Sequence, residues 1–407
     1  MNRWRIRYLQ LRRLLTDRNV QLGLSVLMIG GGTTLGILLL FPQDAPSTIT
    51  AMIVSATASF AGAYLSYTVA AQHLISTERE RIDPPEEISD HYATRISLLE
   101  PTRLDATVEM PLPERLPVVV METASNYEHQ LNFDIVLTND VYDFPESIQG
   151  FFEPYFSELR DRFETEGKFN SRKARIDRVD GTVFHIGETT YFRSFCTNFA
   201  PDLTFQKKGP TLREAFDQEF VMRDHLVSLS ESPFSNHLGG GGLLITADGF
   251  AVLGLRAADV TVGERVVGNS FGGNFEYHNL QAGATLEDEL LREATEEIEA
   301  VNESTVHEIV PLALIRRVDW LGKPDIHAIA LTDELETHAQ THEEYYDGIS
   351  VDLGIDPIDS VDELFEPETA LTCVERIAAA SERSTFDSSV NLLLILELWL
   401  RAADERI

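Results

Sequence analysis

The acidic segment "LLREATEEIEA", residues 290–300, places four glutamates and one arginine in eleven positions. In an α-helix, Glu293, Glu296 and Glu297 lie at i, i+3 and i+4 and therefore share one face. Carboxylates at this spacing repel one another unless a cation lies among them, and oxygen is the ligand that Mg²⁺ or Mn²⁺ prefers. Glu289 lies one turn earlier on that face, and Arg292 reaches Glu289 and Glu296 by helical spacing and could fix the orientation of the carboxylates. The spacing alone leaves two interpretations open, a divalent metal site or a solvated helix face.

The composition of the chain gives weight to the solvated face. The 407 residues include 66 acidic and 33 basic side chains, for a net charge of −33. So acidic a surface would repel nucleic acid and anionic lipid, which we exclude as partners of the region after Thr77. High acid with only five lysines also resembles proteins of salt-loving organisms. The two cysteines, Cys196 and Cys373, predict neither a disulfide framework nor a cysteine-based zinc site.

The surrounding pattern indicates an α/β domain that would position the glutamates. The segment "GGGGLLITADGFAVLGLR" predicts two strands joined at Asp248-Gly249, a dipeptide that suits a type I′ turn. A glycine-bearing loop follows, and then a helix with Thr285 as N-cap and Asp288 in a box-like position. Two further strands flank a turn at 322–324. The C-terminal "SSVNLLLILELWLRAA" is too short to span a bilayer and predicts a core helix.

In this context the glutamate helix resembles the Nudix box. Arg292, Glu293, Ala294, Glu296 and Glu297 match its R-E-U-x-E-E core, and Gly272, Gly273 and Glu276 match the paired glycines and the glutamate after them. The chain departs from the pattern in three places. The loop before Arg292 is about five residues longer, the upstream box glutamate falls on Ala284, and Glu299 replaces the usual final glycine. Glu287 or Glu289 could substitute for the upstream glutamate.

A wider similarity covers roughly residues 165–400. "GETTYFRSFCTNF" (187–199), the glycine-rich hairpin, "SFGGNFE" and the lengthened loop are similar to the uridine diphosphate glucose pyrophosphatase branch of the Nudix superfamily. The resemblance implies a Nudix α/β/α sandwich with an N-terminal α+β extension. It also implies a hydrolase that uses Mg²⁺ or Mn²⁺ and cleaves a UDP-sugar to UMP and sugar 1-phosphate. Glu293, Glu296 and Glu297 would bind the metal with Arg292 as their orienter, and the catalytic base stays open.

Further residues are candidates for binding substrate. Arg256 and Arg316 could contact phosphate, although surface charge at strand ends explains them equally well. Gly272 and Gly273 belong to the same set through the Nudix-like loop. Tyr191 and Asn198 could shape a pocket or serve in ordinary packing and turns. Two other functions remain open: hydrolysis of ADP-ribose or a dinucleotide, and a non-catalytic Nudix-like nucleotide sensor, which the long loop and the missing upstream glutamate would favour.

The N-terminal region predicts a membrane hairpin. Two uncharged stretches within residues 20–75 are long enough to span a bilayer, and they follow a basic segment, residues 1–19, that would lie in the cytoplasm. A cleaved export signal is the alternative. Small-xxx-small spacings in the stretches permit close helix packing and a possible homo-oligomer. We therefore expect a multi-pass membrane protein with a linker at 76–94, the α+β extension at 95–225 and the Nudix domain at 226–407, both termini being cytoplasmic.

Overall fold

The structure is a computed structural model that describes residues 85–108, 112–123, 134–152, 160, 163, 170–181, 183–202, 210–256, 266–335, 345–382 and 387–404. Its strands, in chain order, are β1 (Val118–Thr123), β2 (Asp134–Val141), β3 (Arg172–Asp180), β4 (Val183–Thr190), β5 (Val221–Met222), β6 (His225–Leu226), β7 (Gly239–Thr246), β8 (Phe250–Arg256), β9 (Val266–Gly268), β10 (Phe271–Asn274), β11 (Val306–Arg317), β12 (Lys323–Thr332), β13 (Tyr345–Asp352) and β14 (Asp387–Ser388).

The helices are α1 (Pro85–Ala93), α2 (Leu104–Thr107), α3 (Glu146–Phe152), α4 (Tyr191–Cys196), α5 (Leu212–Phe220), α6 (Tyr277–Gln281), α7 (Leu286–Glu297), α8 (Pro367–Glu382) and α9 (Val390–Asp404), with a 3₁₀ turn at Val361–Phe365.

Within these ranges a nine-stranded mixed sheet runs in the order β1-β11-β12-β7-β8-β9-β14, with β10 also pairing with β7 and β13 with β8. The β12–β7 and β9–β14 pairs are parallel and the others antiparallel.

The central strands bury both of their faces. Successive side chains of β7 point to opposite sides of the sheet, as strand geometry requires. Leu243 and Ile245 lie in a core with residues of α8 and α9, whereas Leu244 lies in a second core with Leu290 of α7. Helices therefore cover the sheet on both sides, which confirms a mixed α/β fold.

The C-terminal helix α9 lies in the core, as its short apolar run predicts. Its one acidic core residue, Glu397, is fully buried. The carboxylate accepts hydrogen bonds from the backbone N–H groups of Arg103 (3.1 Å) and Leu104 (3.0 Å) and from Nε of Arg401 (2.7 Å). Glu397 thus satisfies the first N–H groups at the start of α2, which have no intrahelical partner.

The predicted hairpin at Asp248-Gly249 is present, but the predicted turn type is wrong. A type I′ turn needs positive φ at both central residues. Of the pair, only Gly249 has a positive φ, +84°. Its N–H donates to the carbonyl of Thr246 at 2.9 Å. The connection is therefore a three-residue loop that ends in a left-handed glycine.

A three-stranded sheet, in the order β2-β4-β3, adjoins the main sheet beside β10. Ala174 of β3 donates its N–H to the carbonyl of Phe275 (2.8 Å) and accepts from the N–H of Leu238 (2.8 Å). From the same predicted extension, β1 pairs with β11 of the main sheet. Residues Arg81–Ile407 cluster as one compact unit. The predicted boundary between residues 225 and 226 stays a prediction.

The predicted membrane location is contradicted by the lengths and the apolarity of the described helices. None of the helices in the described ranges is long and apolar enough to cross a bilayer. The predicted hairpin, residues 20–75, lies outside those ranges together with the basic segment 1–19.

Candidate active site

Helix α7 begins at the predicted N-cap and packs its apolar face on the sheet. The side chain of Thr285 accepts from the N–H of Asp288 (3.1 Å), and the Asp288 carboxylate accepts from the N–H of Thr285 (2.8 Å). This capping box satisfies two of the N–H groups at the helix start. Leu286, Leu290 and Ala294 then enter the second core. The cap and the apolar stripe together fix which helix face meets β10.

The carboxylates of Glu293 and Glu297 lie against the two glycines of β10. The N–H of Gly272 donates to Oε2 of Glu297 at 2.8 Å. A Cβ atom added to Gly273 would overlap the Glu293 carboxylate, so this glycine is what lets the carboxylate reach the strand. The paired glycines therefore position two of the three predicted metal ligands.

Arg292 connects the glutamates of the helix. Its guanidinium donates to Glu289 (3.1 Å), Glu293 (2.5 Å) and Glu296 (2.8 Å), and to the carbonyl of Asn274 (3.3 Å). Burial alone would lower the pKa of Arg292, but the carboxylates, Glu293 foremost, raise it above its usual value. The predicted orienting contacts are thus present in the structure. Their catalytic meaning stays a prediction.

Of the two glutamates that could substitute for the upstream box glutamate, Glu289 is the buried one. It is 1% exposed, and its carboxylate accepts from the N–H of Glu276 (2.7 Å) and from Nδ2 of Asn279 (2.6 Å). Glu287 is only half-buried. Glu289, Glu293 and Glu297 therefore form a buried row at i, i+4 and i+8, while the side chain of Glu296 is 55% exposed.

Lys173 and Glu276 belong to the same group of charges, and sequence reasoning did not place Lys173 there. Lys173 forms an ion pair with Oε1 of Glu276 and donates to the carbonyl of Asn274 at 3.4 Å. Ser171 also donates to Oε1 of Glu276 (3.1 Å). The second oxygen, Oε2, is buried without a hydrogen-bond partner. The signal for Lys173 was its rarity, because the chain has only five lysines.

Burial changes the acidity of the Glu293 carboxyl group. Desolvation raises its pKa to about 7; Arg292 and Lys173 oppose this rise, and the charge of Glu296 adds to it. The positive charges of Arg292 and Lys173 therefore do not fully compensate for the loss of solvation of the Glu293 carboxylate.

The carboxylate oxygens at this site are of the kind that binds a divalent cation, but they do not surround a cation on all sides. The carboxylates of Glu293, Glu296, Glu297 and Glu276 are all hard oxygen donors, the kind that Mg²⁺ and Mn²⁺ take, although Oε2 of Glu276 also lies 3.7 Å from Nδ1 of His278. Nowhere in the part of the chain that the structure describes do three metal-ligating side chains converge. Mg²⁺ usually binds through one or two carboxylates and keeps water or substrate phosphate in its other positions. The residues fit a metal held in that open manner.

Two of the predicted substrate ligands are buried among structural contacts. Arg316 is 3% exposed, and its guanidinium donates to the carbonyls of Gly322 (3.0 Å) and Val227. Burial lowers its pKa to about 10. Asn198 is fully buried; its amide donates to the carbonyl of Trp320 (2.9 Å) and its Oδ1 accepts from the N–H of Asn236 (2.8 Å). In both residues these contacts are internal to the fold.

The structure shows fewer contacts for the other predicted substrate residues. Tyr191 is half-buried at the start of α4, with its ring 5.9 Å from that of Phe199. Arg256 ends β8, and its side chain lies outside the described part. Gly272 and Gly273 lie at the glutamates, as described above. Among the members of the predicted substrate set whose side chains the structure describes, these two glycines contact the glutamates of α7.

Comparison with known proteins adds little to this geometry. No family model matches the chain, and no curated protein matches it. Solved structures similar to part of the chain include DR0079 from Deinococcus radiodurans, with a TM-score of 0.26 and 16% identity over 39% of this chain and 80% of that one. They also include a MutT/nudix family protein from Enterococcus faecalis, with a TM-score of 0.22 and 15% identity over 39% of this chain and 67% of that one. Likeness this weak carries no argument about activity, so the residues themselves must.

Proposed function

We propose that this protein is a metal-dependent hydrolase of the Nudix type that cleaves the phosphoanhydride bond of a nucleoside diphosphate joined to another group. The observation that carries the proposal is the contact between α7 and β10. There the R-E-A-x-E-E segment lays Glu293 and Glu297 on the paired glycines Gly272 and Gly273, with Arg292 joining the glutamates.

The chemistry asks for positive charge beside a phosphorus shielded by anionic oxygens. A bound Mg²⁺ or Mn²⁺ would neutralise the phosphates and make hydroxide available from water near neutral pH. Glu293, Glu296 and Glu297 would hold that cation. Arg292 keeps the carboxylates in place through its hydrogen bonds, and the N–H of Gly272 fixes one oxygen of Glu297. Lys173, beside Glu276, adds a cation that would attract the diphosphate.

For the substrate we propose a UDP-sugar, which would give UMP and sugar 1-phosphate. The support is the sequence similarity of residues 187–199, the glycine-rich hairpin and the lengthened loop to the uridine diphosphate glucose pyrophosphatase branch. ADP-ribose and dinucleotides have the same diphosphate linkage and belong in the same screen.

A non-catalytic nucleotide-binding module is the second candidate. It is favoured by one observation: Arg292 already neutralises part of the acidic row through its ion pairs with Glu289 and Glu293. Such a module would bind nucleotide without turnover.

The deciding experiment compares three variants of the full chain. UDP-sugars, ADP-ribose and dinucleotides are incubated with Mg²⁺ or Mn²⁺ in concentrated salt, and the release of nucleoside monophosphate is measured. Glu296→Gln and Glu297→Gln keep the side-chain shape and should lower turnover by orders of magnitude, because metal-held charge contributes several kcal/mol and about 1.4 kcal/mol is tenfold. Glu299→Gln, an exposed position just beyond α7, is the matched control and should change little.

Equal activity in the three variants would make the helix a solvated face and remove the mechanism. Nucleotide binding without turnover in the unmodified protein would instead select the non-catalytic module.

A further inference from the structure

An open cleft of about 480 Å³ lies on the outer face of the three-stranded sheet. Its lining includes Asp140 of β2, Arg175, Asp177 and Arg178 of β3, and His185 of β4. On β3, Ala174 and Ile176 point the other way, into the second core, so the alternating side chains belong to the cleft. The volume is within the range of small-molecule sites, about 300–1,000 Å³.

The charges of the cleft are held in fixed positions. Asp177 forms an ion pair with Arg175 and accepts from the hydroxyl of Thr138 at 2.8 Å. The guanidinium of Arg175 lies 5.2 Å from the centre of the Tyr142 ring, and its buried Nε has no hydrogen-bond partner. A Cβ on Gly187 would overlap Asp177, so this glycine leaves room for the carboxylate on the sheet.

Around His185 the cleft also combines hydrogen-bond donors with acceptors. Nε2 of His185 lies 3.0 Å from Nη2 of Arg178 and 3.2 Å from the carboxylate of Asp180. Asp140 is exposed at the rim, and Val141 beside it is 55% exposed. Carboxylates in the lining would repel a phosphate, whereas a hydroxyl both donates to a carboxylate and accepts from an arginine. Val141 offers an apolar contact for the C–H face of a sugar ring.

Strand β3 carries residues of both the cleft and the glutamate site. Lys173 and Arg175 are two residues apart on the same strand face, which corresponds to about 7 Å. Lys173 pairs with Glu276 next to Glu293, whereas Arg175 lines the cleft. Tyr277, the residue after Glu276, donates its hydroxyl to the carbonyl of Thr138 at 2.9 Å. This bond ties the cleft wall to the segment that carries Glu276.

We propose that this outer cleft binds the hydroxyl-rich sugar that lies beyond the diphosphate of the substrate, and so selects the group to which the nucleoside diphosphate is joined. The inference rests on the proposed function, since it assumes a diphosphate held at Glu293 and Lys173. It assigns to the three-stranded sheet a part in specificity and not in bond cleavage.

The test is made on the full chain in Mg²⁺, because the proposed function needs the cation to hold the diphosphate. The KM for hydrolysis of UDP-glucose and the inhibition constant of UDP in the same assay measure the two affinities. Asp140→Asn, at the exposed rim, should weaken UDP-glucose about tenfold and leave UDP unchanged, as the loss of a charged hydrogen bond predicts. Asp134→Asn removes the same charge from an exposed position on the same strand outside the cleft, and it should change neither affinity.

The alternative outcomes each overturn a different statement. Equal weakening of UDP-glucose and UDP would place the nucleoside in the cleft and refute the sugar assignment. An unchanged ratio of affinities in Asp140→Asn, together with normal turnover in Mg²⁺, would refute the cleft and leave the proposed function intact. If the unmodified protein neither binds nor hydrolyses these nucleotides, the proposed function fails and the cleft assignment fails with it.

Discussion

The folded protein should lose stability as the pH rises because Glu293 becomes charged, and replacing Glu293 with glutamine should remove this loss. In the fold, burial raises the pKa of Glu293 from its ordinary 4.5 to about 7. The folded state therefore holds this proton more tightly than the unfolded chain does. By linkage, stability falls as pH rises through the interval between the two pKa values, and it stays low above pH 7.

The magnitude follows from the same two values. At 1.36 kcal/mol for each pKa unit, the difference between 4.5 and about 7 corresponds to roughly 3 kcal/mol of unfolding free energy. The side chain is 9% exposed, so solvent screens this effect little. Glu293→Gln carries no charge at any pH, and we expect its stability relative to the unmodified protein to rise by roughly 3 kcal/mol from pH 4.5 to pH 8.

The assay is denaturant unfolding of the full chain at several pH values in EDTA and constant salt. Glu299→Gln, with one exposed charge removed nearby, corrects for the general effect of net charge. Millimolar Mg²⁺ or Mn²⁺ should flatten the difference between the unmodified protein and Glu293→Gln, because a cation beside the carboxylate lowers its pKa. Parallel stability curves for these two proteins in EDTA would refute the reasoning and mean that Arg292 already compensates the buried charge.

Two further predictions concern packing. Gly273→Ala should destabilise the fold by about 1–3 kcal/mol and lower any turnover, because its Cβ would displace the Glu293 carboxylate. Gly150→Ala inside helix α3, with open space around it, should instead raise the melting temperature slightly, because alanine favours a helix over glycine by about 0.5–1 kcal/mol. Glu397→Gln should cost about 2 kcal/mol of unfolding free energy, since it weakens charge-assisted bonds to α2 and Arg401, and the exposed Glu375→Gln serves as its control. Equal melting temperatures within either pair would contradict the corresponding argument.

Local sequence signals predicted the elements of the site well. The capping residues Thr285 and Asp288 act on N–H groups within one turn, so their role follows from spacing alone. The buried C-terminal helix follows from its apolar run in the same way. The turn at Asp248-Gly249 was predicted in place but not in type, because the extra loop residue depends on how β7 and β8 pair.

Long-range contacts set the limits of prediction. Arg316 and Asn198 are held by carbonyls of Gly322 and Trp320, in the segment that joins β11 to β12, and by partners far along the chain. Gly322 lies six residues after Arg316, but nothing near Arg316 or Asn198 in the sequence indicates the distant partners Val227, Trp320 and Asn236. Likewise, helical spacing placed Glu296 on the same face as Glu293 and Glu297. The same spacing places Glu289 one turn earlier on that face, but only the packed helix shows that Glu289 is buried while Glu296 points outward to Arg292.

The four glycines at the start of β7 show what could be learned by considering two glycine-rich segments of the sequence together. In a sequence, a run of four glycines such as Gly239–Gly242 is typical of a flexible entry into a strand. In the fold these glycines are the first half of β7 and pair with the glycines of β10, Gly240 with Gly273 and Gly241 with Gly272. A Cβ on Gly240 would lie 2.7 Å from the Phe275 ring and 2.8 Å from Leu290 of α7. Two glycine-rich strands placed side by side therefore leave the space in which α7 approaches the sheet closely enough for Glu293 and Glu297 to reach the strand backbone. The glycines contribute no chemistry of their own, but without them the acidic row would lie further from β10.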